Sequence, residues 1–393
     1  MPLSVHRDAS ISQAEPADEA ELAALLADAN DRHLHVTPMG GGTKASWGNA
    51  VNETGLVLST ARLNSVVEYQ WADLTVTVQA GCTIAALQNT LAERGQRVAF
   101  DPLWPESATV GGVLSTNDSG ALRLGFGGLR DLIIGITLCL PDGTIAKSGG
   151  KVVKNVAGYD LPKLATGALG TLGVITQAVF RLHPRAHCAK TLSVALTTVG
   201  AAWPLVEAVR QSKLTPAALQ IRIEGDGASR LDILFEGTNA GVALQAERFR
   251  ALVRDGSVEE QESMVWKARE QLWECTGDYA IAKLSVLPAE MAATSELVHT
   301  IAADKLRWRI VWYGTGIGWL RLEGAPTKVE GALSNLRATI ERKDGSLAIL
   351  HQPVGSSLDA WGEVGTARDL MHAVKRQFDP KGILNAGRFV AGI

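Results

Sequence analysis

The sequence predicts an α+β protein of two domains, and three observations carry that prediction. Glycine is frequent, 40 of 393 residues, and much of it lies between residues 40 and 175. Short strand-like and helix-like periodicities alternate along the chain rather than forming one long class of element. A change of texture follows Pro184: from 190 to 350 glycine thins out and the helix and strand units lengthen. This length is enough for two or three domains, each able to bury its own core.

The first helix is expected over 16–30, PADEAELAALLADAN, with acidic residues in its first turn and apolar residues at helical spacing. HLHVTP (33–38) follows as a short strand that feeds three consecutive glycines. DLTVTVQAG (73–81) alternates strictly and reads as a strand closed by Gly81. TIAALQNTLAERG (83–95) is a helix with Leu87 and Leu91 on one face and Gly95 as its stop. A second glycine-rich segment covers 105–128. DLIIGITLCLPDGTIAKSGG (131–150) reads as two strands joined at Pro141-Asp142-Gly143.

Past Pro184, AALQIRIEG (217–225) and RLDILFEG (230–237) are expected to pair, with NAGVALQAERFRALVRD (239–255) as a helix. RWRIVWYGTGIGWLRLEG (307–324) has the pattern of a hairpin, and a helix follows over TKVEGALSNLRATIERKDG. The helix of the tail, from residue 368, stops at Asp379-Pro380, and an extended end holds Asn385 and Gly387. Seven of the ten tryptophans lie beyond residue 200, where they are expected to fill a core or an interface.

Composition narrows the function. The formal net charge of −3 comes without a Lys/Arg cluster, so no nucleic-acid partner is expected. Cys82, Cys139, Cys188 and Cys275 are far apart and form no CxxC pair. They argue against a zinc site, an iron–sulfur site or a disulfide framework, and buried reduced thiols are the simple reading. Residues 1–20 show neither a basic start nor an apolar core, so no signal peptide is expected, and no apolar run is long enough to span a bilayer. A cytoplasmic protein is the expectation.

The chemistry concentrates in the glycine loops. Consecutive glycines at 40–42 let several backbone N–H groups point into one concavity suited to phosphate oxygens, with Thr43 and Lys44 adding a hydroxyl and a charge. A tight structural loop is the alternative. GGGTKAS does not fit the GxxxxGK[ST] phosphate loop, and no helical pattern stands behind these glycines as a GxGxxG dinucleotide fingerprint requires. The segment from Pro105 to Gly120 again joins glycines (Gly111, Gly112) to Thr109, Ser115, Thr116 and Asn117. GTLGVIT (170–176) is expected to expose backbone beside flat apolar side chains.

Five motifs occur here in a familiar order: PMGGGTK, DPLWPESATVGGVLSTN, LRDLIIGITLCLPDGT, KNVAGYDLPKLATGALGTLGVIT and FDPKGILNAGR. Together they resemble FAD-linked oxidoreductases of the vanillyl-alcohol oxidase type. Within that family the likeness is to the FAD-binding subunits of bacterial glycolate oxidases. The resemblance implies an FAD-binding domain over 1–185, an α+β cap domain over 186–350, and a segment over 351–393 that completes the FAD domain. It implies that Pro38, Gly40, Gly41, Gly42 and Thr43, with Lys44 beside them, hold the FAD pyrophosphate. Pro105, Thr109, Val110, Gly111, Gly112, Ser115, Thr116, Asn117 and Gly120 would line the isoalloxazine and ribityl portion. Gly170, Gly173, Val174 and Ile175 would present backbone to the adenosine or flavin edge. Relatives with covalent flavin carry a His in the glycine loop or a Cys in the second segment. Thr43 and the absence of cysteine there imply noncovalent FAD.

For turnover, a hydroxy acid needs a cation for its carboxylate and a base for its hydroxyl proton. Catalytic members of the family carry a GHxGDGNxH motif, and the counterpart here, YGTGIGWLRL (313–322), has no His or Asp. No catalytic residue and no metal site are therefore assigned. His299, His351 and His372 do not pair at ligand spacing. Tyr159, Asp160, Lys151 and Lys154 are candidates near the cofactor, each with a structural or surface role as the alternative. The implied function is that of an FAD subunit in a complex that oxidises glycolate to glyoxylate, with a related catalytic flavin subunit and an iron–sulfur subunit as partners. Any association with the inner membrane would be peripheral, through that complex. A free-standing FAD-dependent 2-hydroxy acid dehydrogenase and a noncatalytic structural flavin subunit stay open.

Overall fold

The N-terminal helix forms over Glu19–Asp31, starting slightly later than its sequence pattern because Asp18 caps it. The Asp18 carboxylate accepts from Glu21 N at 2.9 Å, and Glu21 Oε2 in turn accepts from Ala17 N at 2.7 Å. Such a cap contributes about 1 kcal/mol. Leu22 and Leu26, both fully buried, anchor the helix face, each worth about 1.5–3 kcal/mol. A computed structural model describes residues 6–7, 11–150, 159–254, 256–303 and 305–393 of this chain.

The chain divides into two units, one holding the described residues up to Ser119 with Gly127–Arg185 and Glu363–Ile393, the other Gly120–Phe126 and Ala186–Gly362. In the first unit, a four-stranded sheet runs in the order His6–Arg7, Ser12–Ala14, Leu56–Ser59, Val36–Met39. The last three are parallel, and Leu384 of the tail bridges Val36 in parallel. A five-stranded antiparallel sheet has the order Val66–Gln70, Thr75–Gln79, Val174–Arg181, Ile133–Cys139, Ile145–Gly149. The alternation in TVTVQ puts Val76 and Val78 into its core, which the helix Ile84–Ala92 covers with Ile84, Leu87 and Leu91. Thr83 caps that helix through Ala86 N, and Gly95 stops it at φ +64°. The turn at 141–143 joins two strands as expected, with Gly143 at φ +83°.

The second unit is an eight-stranded antiparallel sheet in the order Val258–Gln261, Cys188–Leu196, Ser229–Gly237, Ala218–Glu224, Arg307–Tyr313, Ile317–Glu323, Tyr279–Ser285, Ser346–His351. Helices Ala202–Gln211, Asn239–Leu252, Met291–Ala302 and Pro326–Glu341 share one apolar core with Ile221, Ile233, Trp312 and Leu320 of the sheet. Trp308, Trp312 and Trp319 are buried. They pack the interior and are not available as a contact surface for a partner.

The cysteines separate into two classes. Cys82 and Cys139 are buried, whereas Cys188 and Cys275 are only partly covered. Burial first, then the nearby Glu19 and Asp142 charges, raise the Cys139 thiol from 9.0 to about 12. An acid whose folded pKa lies above its unfolded value stabilises the fold fully below the lower value and loses that contribution as pH rises through the window. Cys139 therefore makes the protein less stable from pH 9.0 toward about 12. Under native conditions iodoacetamide is expected to label Cys188 and Cys275 first, with Cys82 and Cys139 labelled only on unfolding, as peptide mass spectrometry would show. Equal native labelling of all four would refute the assignment.

Candidate functional site

Stretches far apart in sequence meet beside the triple glycine. A Cβ on Gly40 would fall on the Thr109 hydroxyl, and one on Gly41 would fall on the Ser107 carbonyl oxygen. Gly170, at φ +72°, would place its Cβ 3.7 Å from Pro38 Cγ and 3.3 Å from Asn385 Nδ2. Gly167 faces Asn117 in the same way, and Leu169 N donates to Ser115 O at 2.8 Å. Pro38, Gly40, Gly41, Thr109, Ser115, Asn117 and Gly170 thus share one neighbourhood.

The reason for glycine differs from position to position. Gly42 alone of the three needs the left-handed region, at φ +69°. Gly40 and Gly41 are small because residues 107–109 of the same chain pack against them. A branched residue at Gly41 would displace the loop from its own scaffold, not merely narrow the approach of a ligand. Gly41 and Gly42 are exposed, and among the described residues the N–H groups of Gly41, Gly42 and Thr43 find no acceptor. These are consecutive donors on an open face.

The second segment is a short helix, Val110–Thr116, where a glycine-rich loop was expected. Thr109 caps it through Gly112 N at 3.3 Å, and Asn117 ends it at φ +48°. Val110 N donates to Cys82 O at 2.9 Å and Gly111 N to Ala80 O at 2.7 Å, so these donors face the protein. Gly111 is small because Ala80 would lie 2.9 Å from its Cβ. Thr116 returns its hydroxyl to Gly112 O at 2.8 Å, and the Pro105 carbonyl accepts from Ala85 N at 2.8 Å. Gly173 is buried rather than exposed, and Val174 and Ile175 open a strand opposite Cys139 and Leu138. Gly120 groups with residues 120–126 in the other unit.

Lys44 is buried at 5% exposure. Its ammonium lies 3.3 Å from Asp118 Oδ2, donates to Leu103 O at 3.2 Å, and sits over the rings of Trp104 and Trp47. Asp118 also accepts from Leu103 N at 2.8 Å. The carboxylate balances the Lys44 charge, so Lys44 contributes to the loop chiefly as an anchor.

The tail closes the same region. Lys375 donates to Thr171 O at 2.8 Å, Leu384 O at 2.9 Å and Asp379 Oδ2 at 2.6 Å. Burial lowers the Lys375 pKa, and Asp379 opposes that shift. Asp379 accepts from Ile383 N and Leu384 N, and Asn385 Nδ2 donates to Leu169 O at 2.6 Å. Asp118, Lys375, Asp379, Asn385 and Arg388 escaped the sequence reading as a group. Only the DPKG and LNAGR motifs marked the neighbourhood of the last four.

In the other unit, the hairpin strands Arg307–Tyr313 and Ile317–Glu323 turn at Gly316. On the sheet face away from the helices, strand register sets Ser193 and Gln220 on either side of Asp232. Asp232 accepts from the Ser193 hydroxyl, from Gln220 Nε2 at 2.8 Å, and from Arg222 at 2.7 and 2.9 Å. Among the described residues no three His, Cys, Asp or Glu side chains gather as a metal site would need. His351 stacks on Tyr279 at 4.2 Å, and burial lowers its pKa, which favours the neutral ring. His299 meets Trp308 edge-on, and His372 is half-buried on the tail helix. Asp160 caps the helix Leu161–Ala165, and Tyr159 is 88% exposed. Lys151 and Lys154 lie outside the described residues.

Comparison with known proteins gives this geometry a context. The family model for the FAD binding domain matches residues 13–149, and that for the C-terminal domain of FAD linked oxidases matches 359–389. The chain is 28% identical to glycolate oxidase subunit GlcD of Bacillus subtilis, over 96% of this chain and 88% of that one. It is 28% identical to D-lactate dehydrogenase of Archaeoglobus fulgidus, over 96% and 90%. Alkyldihydroxyacetonephosphate synthase shares the fold, with a TM-score of 0.74 at 18% identity over 96% of this chain and 77% of that one. The α+β architecture is therefore of the vanillyl-alcohol oxidase type. The residues present fit FAD: adjacent N–H donors without an acceptor among the described residues suit a pyrophosphate, and the buried Lys44–Asp118 pair anchors the loop next to them.

Proposed function

Because the chain is an FAD-linked oxidoreductase with FAD as its cofactor, we propose that it serves as the FAD-binding subunit of a complex that oxidises glycolate or a related 2-hydroxy acid. Its partners would be a related flavin subunit with the His-rich motif and an iron–sulfur subunit. In this reading 1–185 and 351–393 bind FAD and 186–350 form the cap. The N–H groups of Gly41, Gly42 and Thr43 bind the pyrophosphate. The segments at 105–120 and 170–175 line the rest of the cofactor, Val110–Thr116 and the strand from Val174 acting as walls through their buried packing. Bound FAD would supply a two-electron carrier within the complex, the hydroxy acid itself being oxidised at the related flavin subunit.

The observation that supports a separate catalytic subunit is the hairpin at 313–322, which offers no His or Asp to a substrate hydroxyl. Among the described residues no helix is long and apolar enough to cross a membrane, and the proposal places the complex in the cytoplasm or peripherally at the membrane. The FAD-loaded chain alone is expected to reduce no artificial dye with glycolate or D-lactate, and dye reduction should appear when the His-motif subunit is added. Steady reduction by the isolated chain at about 1 per second or faster would instead make it a free-standing dehydrogenase. The D-lactate dehydrogenase relative, aligned over 96% of this chain, is what favours that second reading.

A further inference from the structure

The far half of the glycine loop is gripped by one side chain from the tail. Arg388 Nε donates to Trp47 O at 3.1 Å, and its Nη2 donates to Lys44 O and Ala45 O, both at 2.9 Å. The two backbones are tied as well: Asn49 N donates to Arg388 O at 3.0 Å and Asn52 N to Ala386 O at 2.8 Å. Gly387, at φ +88°, leaves room for the Asn52 side chain. Arg388 is 8% exposed, and burial lowers its pKa. One planar fork thus collects three carbonyls of residues 44–47. On the other side of residue 44, its ammonium is held by Asp118 and Leu103 O. Immediately before these two anchors in the chain, the N–H groups of Gly41, Gly42 and Thr43 find no acceptor among the described residues and lie on the exposed face.

We infer that Arg388 is a positioning residue for the cofactor, shaping the pyrophosphate loop from the C-terminal tail; this rests on the assignment of residues 41–43 to the FAD pyrophosphate. A run of three glycines is costly to order, because glycine loses more backbone freedom on folding than any other residue. Holding the carbonyls of 44–47 on the tail side spares the cofactor part of that ordering. Arg388 does not touch the pyrophosphate; it acts through the loop. A lysine cannot replace it, because an ammonium is a point charge and cannot present three donors in the plane of the carbonyls.

The test titrates the full-length apoprotein with FAD, following flavin fluorescence, for wild type, Arg388→Lys, Arg388→Ala and Gly42→Val. Circular dichroism checks that each is folded, and the lysine variant serves if the alanine variant is not. Arg388→Lys is expected to weaken FAD binding about tenfold or more, equivalent to about 1.4 kcal/mol. In its FAD-saturated form the phosphorus NMR resonances of the pyrophosphate should shift while the visible flavin bands stay in place. Gly42→Val forces a β-branched residue to positive φ and should weaken FAD by at least as much. Wild-type affinity in Arg388→Lys beside weakened binding in Gly42→Val overturns the role of Arg388 and leaves the loop assignment intact. Weakened affinity with unshifted phosphorus resonances also overturns it, by reducing Arg388 to general support of the fold. Unchanged affinity in Gly42→Val overturns the loop assignment itself.

Discussion

Asp379→Ala is expected to lower the unfolding free energy by about 3–5 kcal/mol, the cost of leaving a buried charge without its partner. Asp379 is 1% exposed, and its two oxygens take three donors: Ile383 N at 3.1 Å, Leu384 N at 2.8 Å and Lys375 Nζ at 2.6 Å. Without it the Lys375 ammonium faces only the carbonyls of Thr171 and Leu384. The lysine pKa, already lowered by burial, then falls further because the opposing effect of Asp379 is gone. A base with a depressed folded pKa binds fewer protons folded than unfolded between the two values, so stability rises with pH across that window. The deficit of the variant relative to wild type should therefore narrow as pH is raised toward 10.5, the ordinary lysine value. Urea unfolding at a series of pH values measures both effects. A loss below about 1 kcal/mol, the range of exposed pairs, would mean that the ammonium reaches water.

The second large effect lies in the other unit. Asp232→Ala removes a fully buried carboxylate that answers four donors: the Ser193 hydroxyl, Gln220 Nε2, and both Nε and Nη2 of Arg222. The two-pronged guanidinium contact is the strong kind of ion pair. Its loss strands the Ser193 hydroxyl, leaves Gln220 Nε2 with the Val265 carbonyl alone at 2.7 Å, and is expected to cost about 3–5 kcal/mol. The pair Arg309–Glu224, 2.6 Å apart but half exposed at both ends, is the control: Glu224→Gln should cost about 0–1 kcal/mol. Guanidinium unfolding of the two variants decides the matter, and equal losses would show that burial is not what makes Asp232 valuable.

The local structure was readable in the sequence because its rules are local. The helices over 16–30 and 83–95, Gly95 as a stop, the alternation of Val76 and Val78, and the hairpin from Arg307 to Glu323 depend on neighbours a few positions away. The short helix Val110–Thr116 was hidden because its two glycines lower helix propensity. Packing against Ala80 and the cap at Thr109 override that preference. The reason for Gly40 and Gly41 was also out of reach: it lies at Ser107 and Thr109. The buried charges were the least visible part. Nothing about Lys44 or Lys375 in sequence distinguishes a buried ion pair from a solvated side chain, because the partner Asp118 comes from another segment and the acceptors at 171 and 384 are backbone oxygens.

The grip of Arg388 on Trp47 joins positions 341 residues apart, and this sets an order for biosynthesis. At a translation rate of roughly 5–20 residues per second, the ribosome needs roughly 17–70 seconds to bring the second partner out after the first. Throughout that interval Val36 lacks the neighbour that Leu384 will provide, and the carbonyls of Lys44, Ala45 and Trp47 lack their donor. The entire second unit, residues 120–126 and 186–362, is made in between and draws on none of these contacts. The nascent half that reads first is thus the half that can be finished only last; on the proposed assignment of residues 41–43 to the pyrophosphate, cofactor loading would wait for residue 388 to emerge.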